Sequence, residues 1–124
     1  MKYEDLYKDF LSVFADDQKI IETIAAENAV DEEDGMHIAF GMVVVPFISK
    51  LIESNQEDKI KRAFSFFEEM AASEAPLISE VLEFTVIEGI IAGGKDFASK
   101  CVKYMNPCTY ASYEIISRNF TNPE

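Results

Sequence analysis

Histidine and cysteine, which are common in catalytic and metal sites, are scarce in this sequence. His37 is the single histidine, so a mechanism with two histidines or a His-x-x-x-His metal site is excluded. The two cysteines, Cys101 and Cys108, are separated by a segment that contains Pro107, and their spacing matches neither a CxxC redox pair nor zinc ligands. Glycine-rich phosphate loops and the Gly-x-Ser-x-Gly elbow are also absent. We therefore expect no enzymatic activity, no catalytic residue and no cofactor.

The acidic residues are abundant, but their spacing does not fit a calcium site. An EF-hand with Gly35 at its sixth position would need an oxygen ligand at Val30 and a bidentate glutamate at Gly41, and the sequence supplies neither. Pairs of glutamates on the helices are ordinary solvated surface residues. We expect no bound metal and interpret residues 31–35 as an exposed acidic loop.

Basic side chains and long apolar runs are also few. The sequence has 11 lysines and arginines but 23 aspartates and glutamates, which gives a formal net charge of -12. A negative surface of this kind repels nucleic-acid phosphates. We therefore exclude DNA and RNA as direct ligands. No segment approaches the roughly 20 apolar residues of a membrane span, and the charged N-terminus is unlike a secretory signal. These features predict a cytoplasmic protein without membrane contact.

What the sequence does have is enough apolar material for one packed domain. The hydrophobic fraction is 48%, which is typical of a globular chain. We expect a single helical domain over residues 1–124, in which residues 1–35 form acidic N-terminal helices and a loop and residues 36–124 form the helical core.

Apolar side chains recur at spacings of three and four residues, which predicts helices along the whole chain. The expected helices cover residues 3–14, 17–29, 36–54, the segment after Asn55, residues 77–91, residues 95–105 and the segment after Pro107. Pro46 should kink or divide the third helix near Val43 to Val45. Asn55 and Asn106 should cap the helices that follow them. The helix over residues 77–91 is apolar on nearly every side, so we expect neighbours on both of its flanks.

The fold class that follows is all-α, with six to seven antiparallel helices joined by short loops. Residues 47–52 are echoed by residues 77–82, each time followed by an amphipathic helix. This echo slightly favours a short HEAT-like stack of helical hairpins over an irregular bundle, and both arrangements stay open.

The negative charge is concentrated near the N-terminus. Residues 1–34 hold eleven acidic and three basic side chains, whereas residues 95–124 hold three acidic and four basic ones. Clustered carboxylates can speed the capture of a basic partner. A nuclease is such a partner, because its active site must be cationic to hold phosphates. The candidate partner-binding residues are Asp16, Asp17, Asp31, Glu32, Glu33 and Asp34, with Tyr3 and Phe66 as apolar anchors if they are exposed.

The region from His37 to Pro107 resembles a family of small, acidic, helical bacterial proteins. Its pattern is a Phe-Gly helix with a following proline, a Phe-x-Phe-x-Glu-Glu-Met-Ala helix and a closing Tyr-Met-x-Pro turn. The matching positions are Phe40-Gly41, Pro46, residues 51–55, residues 64–71 and Tyr104 to Pro107. Members of that family resemble immunity proteins of contact-dependent growth inhibition and other polymorphic toxin systems.

The resemblance implies a cytoplasmic inhibitor that binds a cognate basic toxin domain, such as a nuclease, and occludes its active site. The matched residues are mostly apolar, so they carry the fold and leave the inhibitory surface to the acidic N-terminal region. The alternative hypothesis is a helical-repeat adaptor or regulatory protein that binds a host protein or peptide in a groove.

Overall fold

In a computed structural model of the protein, residues 1–121 are described, and this part of the chain contains helices and no strand. The all-α prediction is confirmed. Short 3-10 turns at Tyr3–Asp5, Ala15–Asp17 and Glu32–Asp34 precede the first three helices. The seven helices are α1 (Leu6–Val13), α2 (Gln18–Glu27), α3 (Met36–Glu53), α4 (Glu57–Ala72), α5 (residues 76–92), α6 (Lys95–Val102) and α7 (Pro107–Thr121).

The helices form an irregular bundle around α3 and α5, so the hairpin stack that the sequence echo favoured does not occur. In a hairpin stack each repeat contacts only its neighbours. Here α5 packs against α3, α4, α6 and α7, and the ring of Phe10 on α1 reaches both α3 and α4. The echo between residues 47–52 and 77–82 therefore reflects only that both segments lie on core helices.

Aromatic side chains from three helices form the centre of the core. The Phe10 ring lies 5.0 Å from Phe14, 6.4 Å from Phe47 and 6.2 Å from Phe67, measured between ring centroids. Phe66 also belongs to this cluster, since it is only 5% exposed and meets Phe10 edge-on at 5.3 Å. The prediction of Phe66 as a partner-binding anchor is therefore wrong, because α1 covers it.

Helix α3 runs without a break past Pro46, but its pitch changes just before the proline. Residues Phe40–Val44 form a π-helical turn, in which the Val45 N–H donates to the Phe40 carbonyl. A wider turn relieves the clash between the proline ring and the preceding turn of the helix. The predicted irregularity at residues 43–45 is thus present as a π turn, and the helix is not divided.

Helix α5 contains a second π turn, at Leu82–Ile87, which packs against the first. The two helices approach closely at glycines: a Cβ on Gly41 would lie 3.1 Å from Thr85 Cγ2, and one on Gly89 would lie 3.2 Å from Val45 Cγ2. The Thr85 hydroxyl is also hydrogen-bonded to His37 Nδ1 at 2.5 Å.

Only part of the apolar surface of α5 is covered. Leu77 and Phe84 are each 54% exposed, whereas Ile78, Val81 and Ile87 are fully buried. The expectation of several helices around α5 is confirmed by its contacts with α3, α4, α6 and α7, but Leu77 and Phe84 lie where these helices leave the surface of α5 to solvent.

Asn55 does not cap α4 as the sequence suggested. Its φ of 55° is left-handed, the Asn55 N–H donates to the Ile52 carbonyl, and the Gln56 N–H donates to the Leu51 carbonyl. This is the Schellman arrangement that ends a helix, and asparagine tolerates the left-handed position well. Asn55 therefore terminates α3, and Gln56 takes the N-cap position of α4 without a side-chain hydrogen bond.

Contrary to the expectation from the sequence, helix α3 is long and apolar enough to reach across a membrane by length and composition alone, with a mean hydropathy of 1.5 over its 18 residues. Half of those residues are buried inside the bundle, so much of the apolar surface of this helix packs against other helices, whereas Ile38 and Met42 are exposed.

Candidate functional site

A groove of about 450 Å³ lies between α1, α2 and the turn that leads into α3. Its floor is apolar and comes from all three elements. Its rim carries four carboxylates and a single lysine, Lys8. The floor residues include Tyr7, Leu11, Ile21, Ala25, Val30 and Met36, and the rim carboxylates are Glu4, Glu22, Asp31 and Glu32. The volume lies in the range of about 300–1,000 Å³ that is usual for ligand sites.

The groove exists because α1 and α2 each turn one apolar stripe into the core and leave a second one at its edge. On α1, Leu6 and Phe10 are fully buried, whereas Tyr7 and Leu11 are only partly buried. On α2, Ile21 and Ile24 are buried, and Ala25 is at the edge. The two edge stripes face each other, and burial raises the pKa of the Tyr7 hydroxyl above its ordinary value.

The turn between α2 and α3 closes one end of the groove. Ala29, with a left-handed φ of 56°, follows the end of α2, and the Val30 N–H donates a hydrogen bond to the Ala25 carbonyl. Gly35 then adopts a φ of 90° at the start of α3, which side-chain-bearing residues rarely adopt. These two reversals place Val30 on the floor and the acidic segment on the rim.

The acidic segment is ordered by its own hydrogen bonds. Asp31 Oδ1 accepts from the Glu33 N–H at 2.9 Å, and Asp34 Oδ2 accepts from the Asp31 N–H at 2.8 Å. Asp31 and Asp34 therefore cap the short 3-10 turn in the manner of a capping box. Glu32 and Glu33 are exposed, so a partner can reach their carboxylates without unfolding the turn.

Asp17 does not belong to a binding surface, although the sequence suggested it. Its side chain is buried, with 4% of the residue exposed, and Oδ1 accepts from Lys59 Nζ at 2.7 Å. The pair ties the start of α2 to α4, and Asp17 Oδ2 is buried without a hydrogen-bond partner. The prediction fails because the chain's own lysine occupies this carboxylate.

The other predicted residues are distributed around the groove. Asp16, Glu33 and Asp34 are exposed but do not line it, whereas Asp31 and Glu32 do. Tyr3 is partly buried against the core and lies outside the lining. The sequence did not predict three residues of the groove, Glu4, Tyr7 and Glu22. A signal was present on α1, because Glu4, Tyr7 and Leu11 follow the three- and four-residue spacing of one helical face, next to the face of Leu6 and Phe10.

The exposed carboxylates of this surface are not neutralised by the chain itself. Among residues 1–121, ion pairs join Asp17 to Lys59 and Asp96 to Lys100, and neither pair lies on the groove. The rim carboxylates Glu4, Glu22, Asp31 and Glu32, with the exposed Glu33 and Asp34 of the same acidic segment, therefore form an anionic and accessible surface. We call it the acidic surface below.

The groups most often used for covalent chemistry are poorly suited to it here. Burial raises the pKa of the Cys101 thiol to about 12, and the neighbouring Glu68 carboxylate raises the pKa of the exposed Cys108 thiol. A thiol is nucleophilic only as the thiolate, which these shifts disfavour. The part of the chain that the structure describes contains no group of three or more His, Cys, Asp or Glu residues that could hold a metal ion.

Comparison with known families gives one result, a match of residues 7–120 to a domain of unknown function, DUF7674. The chain belongs to this family. Comparison with curated proteins and with solved structures finds no significant match. The matched residues include nearly all of the helical bundle and most of the groove, but not Glu4.

Proposed function

We propose that this DUF7674 protein is an inhibitory binding protein that captures a basic protein domain on the acidic surface. The observation that carries the proposal is the groove, where an apolar floor meets four rim carboxylates and one lysine, and none of these carboxylates forms an ion pair among residues 1–121. Apolar anchors surrounded by charged rims are typical of protein interfaces. Attraction between opposite charges would also speed the encounter, by about 10- to 1,000-fold in steered complexes.

The specific form that we propose is an immunity protein, which acts in the cytoplasm on the toxin domain of a contact-dependent growth inhibition or related system. A nuclease toxin fits best, because its phosphate-binding active site presents the positive charge that the acidic surface would meet. Occlusion of that active site would inhibit it without any bond-making by the immunity protein. The sequence resemblance and the charge polarity support this form together.

The alternative, an adaptor with a peptide-binding groove, has less support. A helical-repeat adaptor would present a concave surface along a regular stack, and the bundle is irregular. The groove is also lined by carboxylates, which favours a basic partner over a generic apolar one.

The proposal is tested with the gene that lies immediately upstream. If that gene encodes a large secreted protein with a basic C-terminal domain, the domain and this protein are co-expressed and purified, and the nuclease activity of the domain is measured with and without an equimolar amount of this protein. Stable co-purification and loss of activity are expected. Full nuclease activity in the presence of the protein contradicts the proposal.

Two charge-reversal variants locate the contact. Glu32→Lys with Glu33→Lys should slow association at low salt by an order of magnitude or more, because both residues lie on the acidic surface. Glu74→Lys with Glu80→Lys changes the net charge equally at exposed positions elsewhere, so it serves as the matched control. Equal association rates for the two variants would show that the acidic surface is not part of the interface.

A further inference from the structure

We infer that the groove is an arginine-anchor site, which holds one or two arginine side chains of the partner while the partner's backbone stays at the rim. This inference rests on the proposed function and names the chemical group that the acidic surface recognises. It depends on the contrast between an aliphatic floor and a carboxylate rim in one small cavity.

The chemistry of the floor matches the stem of a long cationic side chain. Leu11, Ala25 and Val30 offer only aliphatic surface, against which the methylene stem of an arginine can lie while its charged head reaches the rim carboxylates. An uncharged apolar side chain would fill the floor equally well, but it would leave the rim carboxylates without a partner. A carboxylate-bearing side chain would be repelled by the rim.

The arrangement of the rim favours a guanidinium over a simple ammonium. Glu4, Glu22 and Asp31 belong to three different segments of the chain, so they approach the cavity from several directions. A guanidinium presents five N–H donors in a planar fork and can bind several carboxylates at once, whereas an ammonium acts as a compact, strongly hydrated charge. Arginine therefore uses this rim better than lysine.

Two side chains of the groove are held in place. The Tyr7 ring meets the buried Phe40 ring edge-on at 6.0 Å, which holds this aromatic side chain in place at the groove. Glu22 Oε2 accepts a hydrogen bond from Gln18 Nε2 at 3.1 Å, and this contact with a residue one helical turn earlier in α2 holds the carboxylate in place. Lys8 is the one cation of the lining, and its removal should strengthen the binding of an arginine.

Defined peptides test the inference without the natural partner. A blocked peptide with two arginines flanked by glycine and serine is titrated into the ¹⁵N-labelled full chain, followed by the same peptide with citrulline, its uncharged isostere, and with lysine. Spermidine serves as a non-peptide cation. We expect shifts of the Tyr7, Ala25 and Val30 amides with the arginine peptide, no binding of the citrulline peptide, and weaker binding of the lysine peptide and of spermidine.

Paired variants on α2 separate the groove from general charge attraction. Glu22→Gln should weaken the arginine peptide about tenfold, because it removes a charge-assisted contact. Glu27→Gln removes the same charge from an exposed position of α2 that does not line the groove, so it should change the affinity less than twofold. Ala25→Trp should fill the groove and abolish the binding of the arginine peptide, with circular dichroism as the check of folding.

Equal effects of Glu22→Gln and Glu27→Gln, or equal binding of the arginine peptide and spermidine, would overturn the arginine-anchor inference. Such results would leave the proposed function standing if the basic toxin domain still bound the acidic surface. Conversely, a groove that binds the arginine peptide in a protein that leaves the upstream nuclease fully active would retain the inference and refute the inhibitory function.

Discussion

The side chain of Asn28, at the end of α2, donates a hydrogen bond of 2.7 Å to the main-chain carbonyl of Met42 in α3. In a regular helix that carbonyl would accept from the N–H of residue 46, which is a proline and has none. Asn28 therefore supplies a donor from outside the helix where Pro46 lacks one. The contact also fixes α2, and with it one wall of the groove, against the π turn of α3.

This relationship predicts that Asn28 and Pro46 are energetically coupled. Asn28→Ala should lower the free energy of unfolding by about 1 kcal/mol, because the Met42 carbonyl loses its donor. In a Pro46→Ala background the new N–H can take over, so the same substitution should cost clearly less. A double-mutant cycle measured by urea unfolding gives the coupling, and additive effects of the two substitutions would contradict the compensation.

Ala29 should gain stability on replacement by glycine. Its φ of 56° lies in the left-handed region, where a Cβ is unfavourable by about 1–2 kcal/mol. Part of that gain is lost to the greater freedom of glycine in the unfolded chain, so we expect a net stabilisation of about 0.5–1 kcal/mol.

Ala26→Gly is the matched control for Ala29→Gly, since Ala26 is an exposed residue of the same helix with helical geometry. It should destabilise the protein by roughly 0.5–1 kcal/mol. Thermal unfolding followed by far-ultraviolet circular dichroism measures both variants. Shifts of the same sign would show that the left-handed turn at Ala29 does not strain the chain.

The helices could be predicted because apolar residues recur with the helical period along nearly the whole sequence. Pro76 and Pro107 are the first residues of α5 and α7, where a proline loses no hydrogen bond. Pro46 was the sequence signal for the π turn at Phe40–Val44. The π turn at Leu82–Ile87, which packs against α3, could not be predicted, because no proline lies within it or directly after it.

Half of the groove could be predicted from the sequence, and the other half could not. Asp31 and Glu32 stand out because like charges cluster there, and such clusters stay at the surface. Glu4, Tyr7 and Glu22 are ordinary residues of amphipathic helices, and they become a site only when α1 and α2 face each other. The periodicity of apolar residues shows which face of a helix is buried but not which helix packs against it. For the same reason the sequence could not show that Lys59 of α4 covers Asp17.

Glu68 of α4 should contribute to stability through the N-terminus of α7. Its carboxylate accepts from the Cys108 N–H, the Thr109 N–H and the Thr109 hydroxyl, each at 2.9 Å. Asn106 occupies the N-cap position and its carbonyl accepts from the Tyr110 N–H, but its side chain donates to the Phe64 carbonyl at 3.5 Å and does not cap the helix as the sequence suggested. The N–H groups of Cys108 and Thr109 donate to Glu68. The N-terminus of α7 is therefore capped by a side chain of α4. Glu68→Gln should lower the free energy of unfolding by about 1 kcal/mol at neutral pH.

The contribution of Glu68 should depend on pH. Burial acts to raise its pKa, but the hydrogen bonds from Thr109 and Cys108 outweigh burial and lower the pKa below 4.5. A carboxyl with a lowered folded-state pKa stabilises the protein above its unfolded pKa, and this stabilisation is lost as the pH falls through the folded value. The wild type and Glu68→Gln should therefore differ at pH 7 and converge below pH 4.5. Urea unfolding across this range measures the difference, and a constant gap would contradict the charged cap.

The same carboxylate should control the reactivity of Cys108. Glu68 raises the pKa of the Cys108 thiol through a side-chain hydrogen bond and its negative charge, so Glu68→Gln should increase the thiolate fraction and speed alkylation by iodoacetamide at pH 8 several-fold. Cys101 is fully buried with a pKa of about 12, and it should react only after unfolding. Mass spectrometry of each cysteine peptide gives the two rates, with Cys101 as the internal check that the variant remains folded. If alkylation of Cys108 is no faster in Glu68→Gln while Cys101 stays protected, the Glu68 carboxylate does not suppress this thiol.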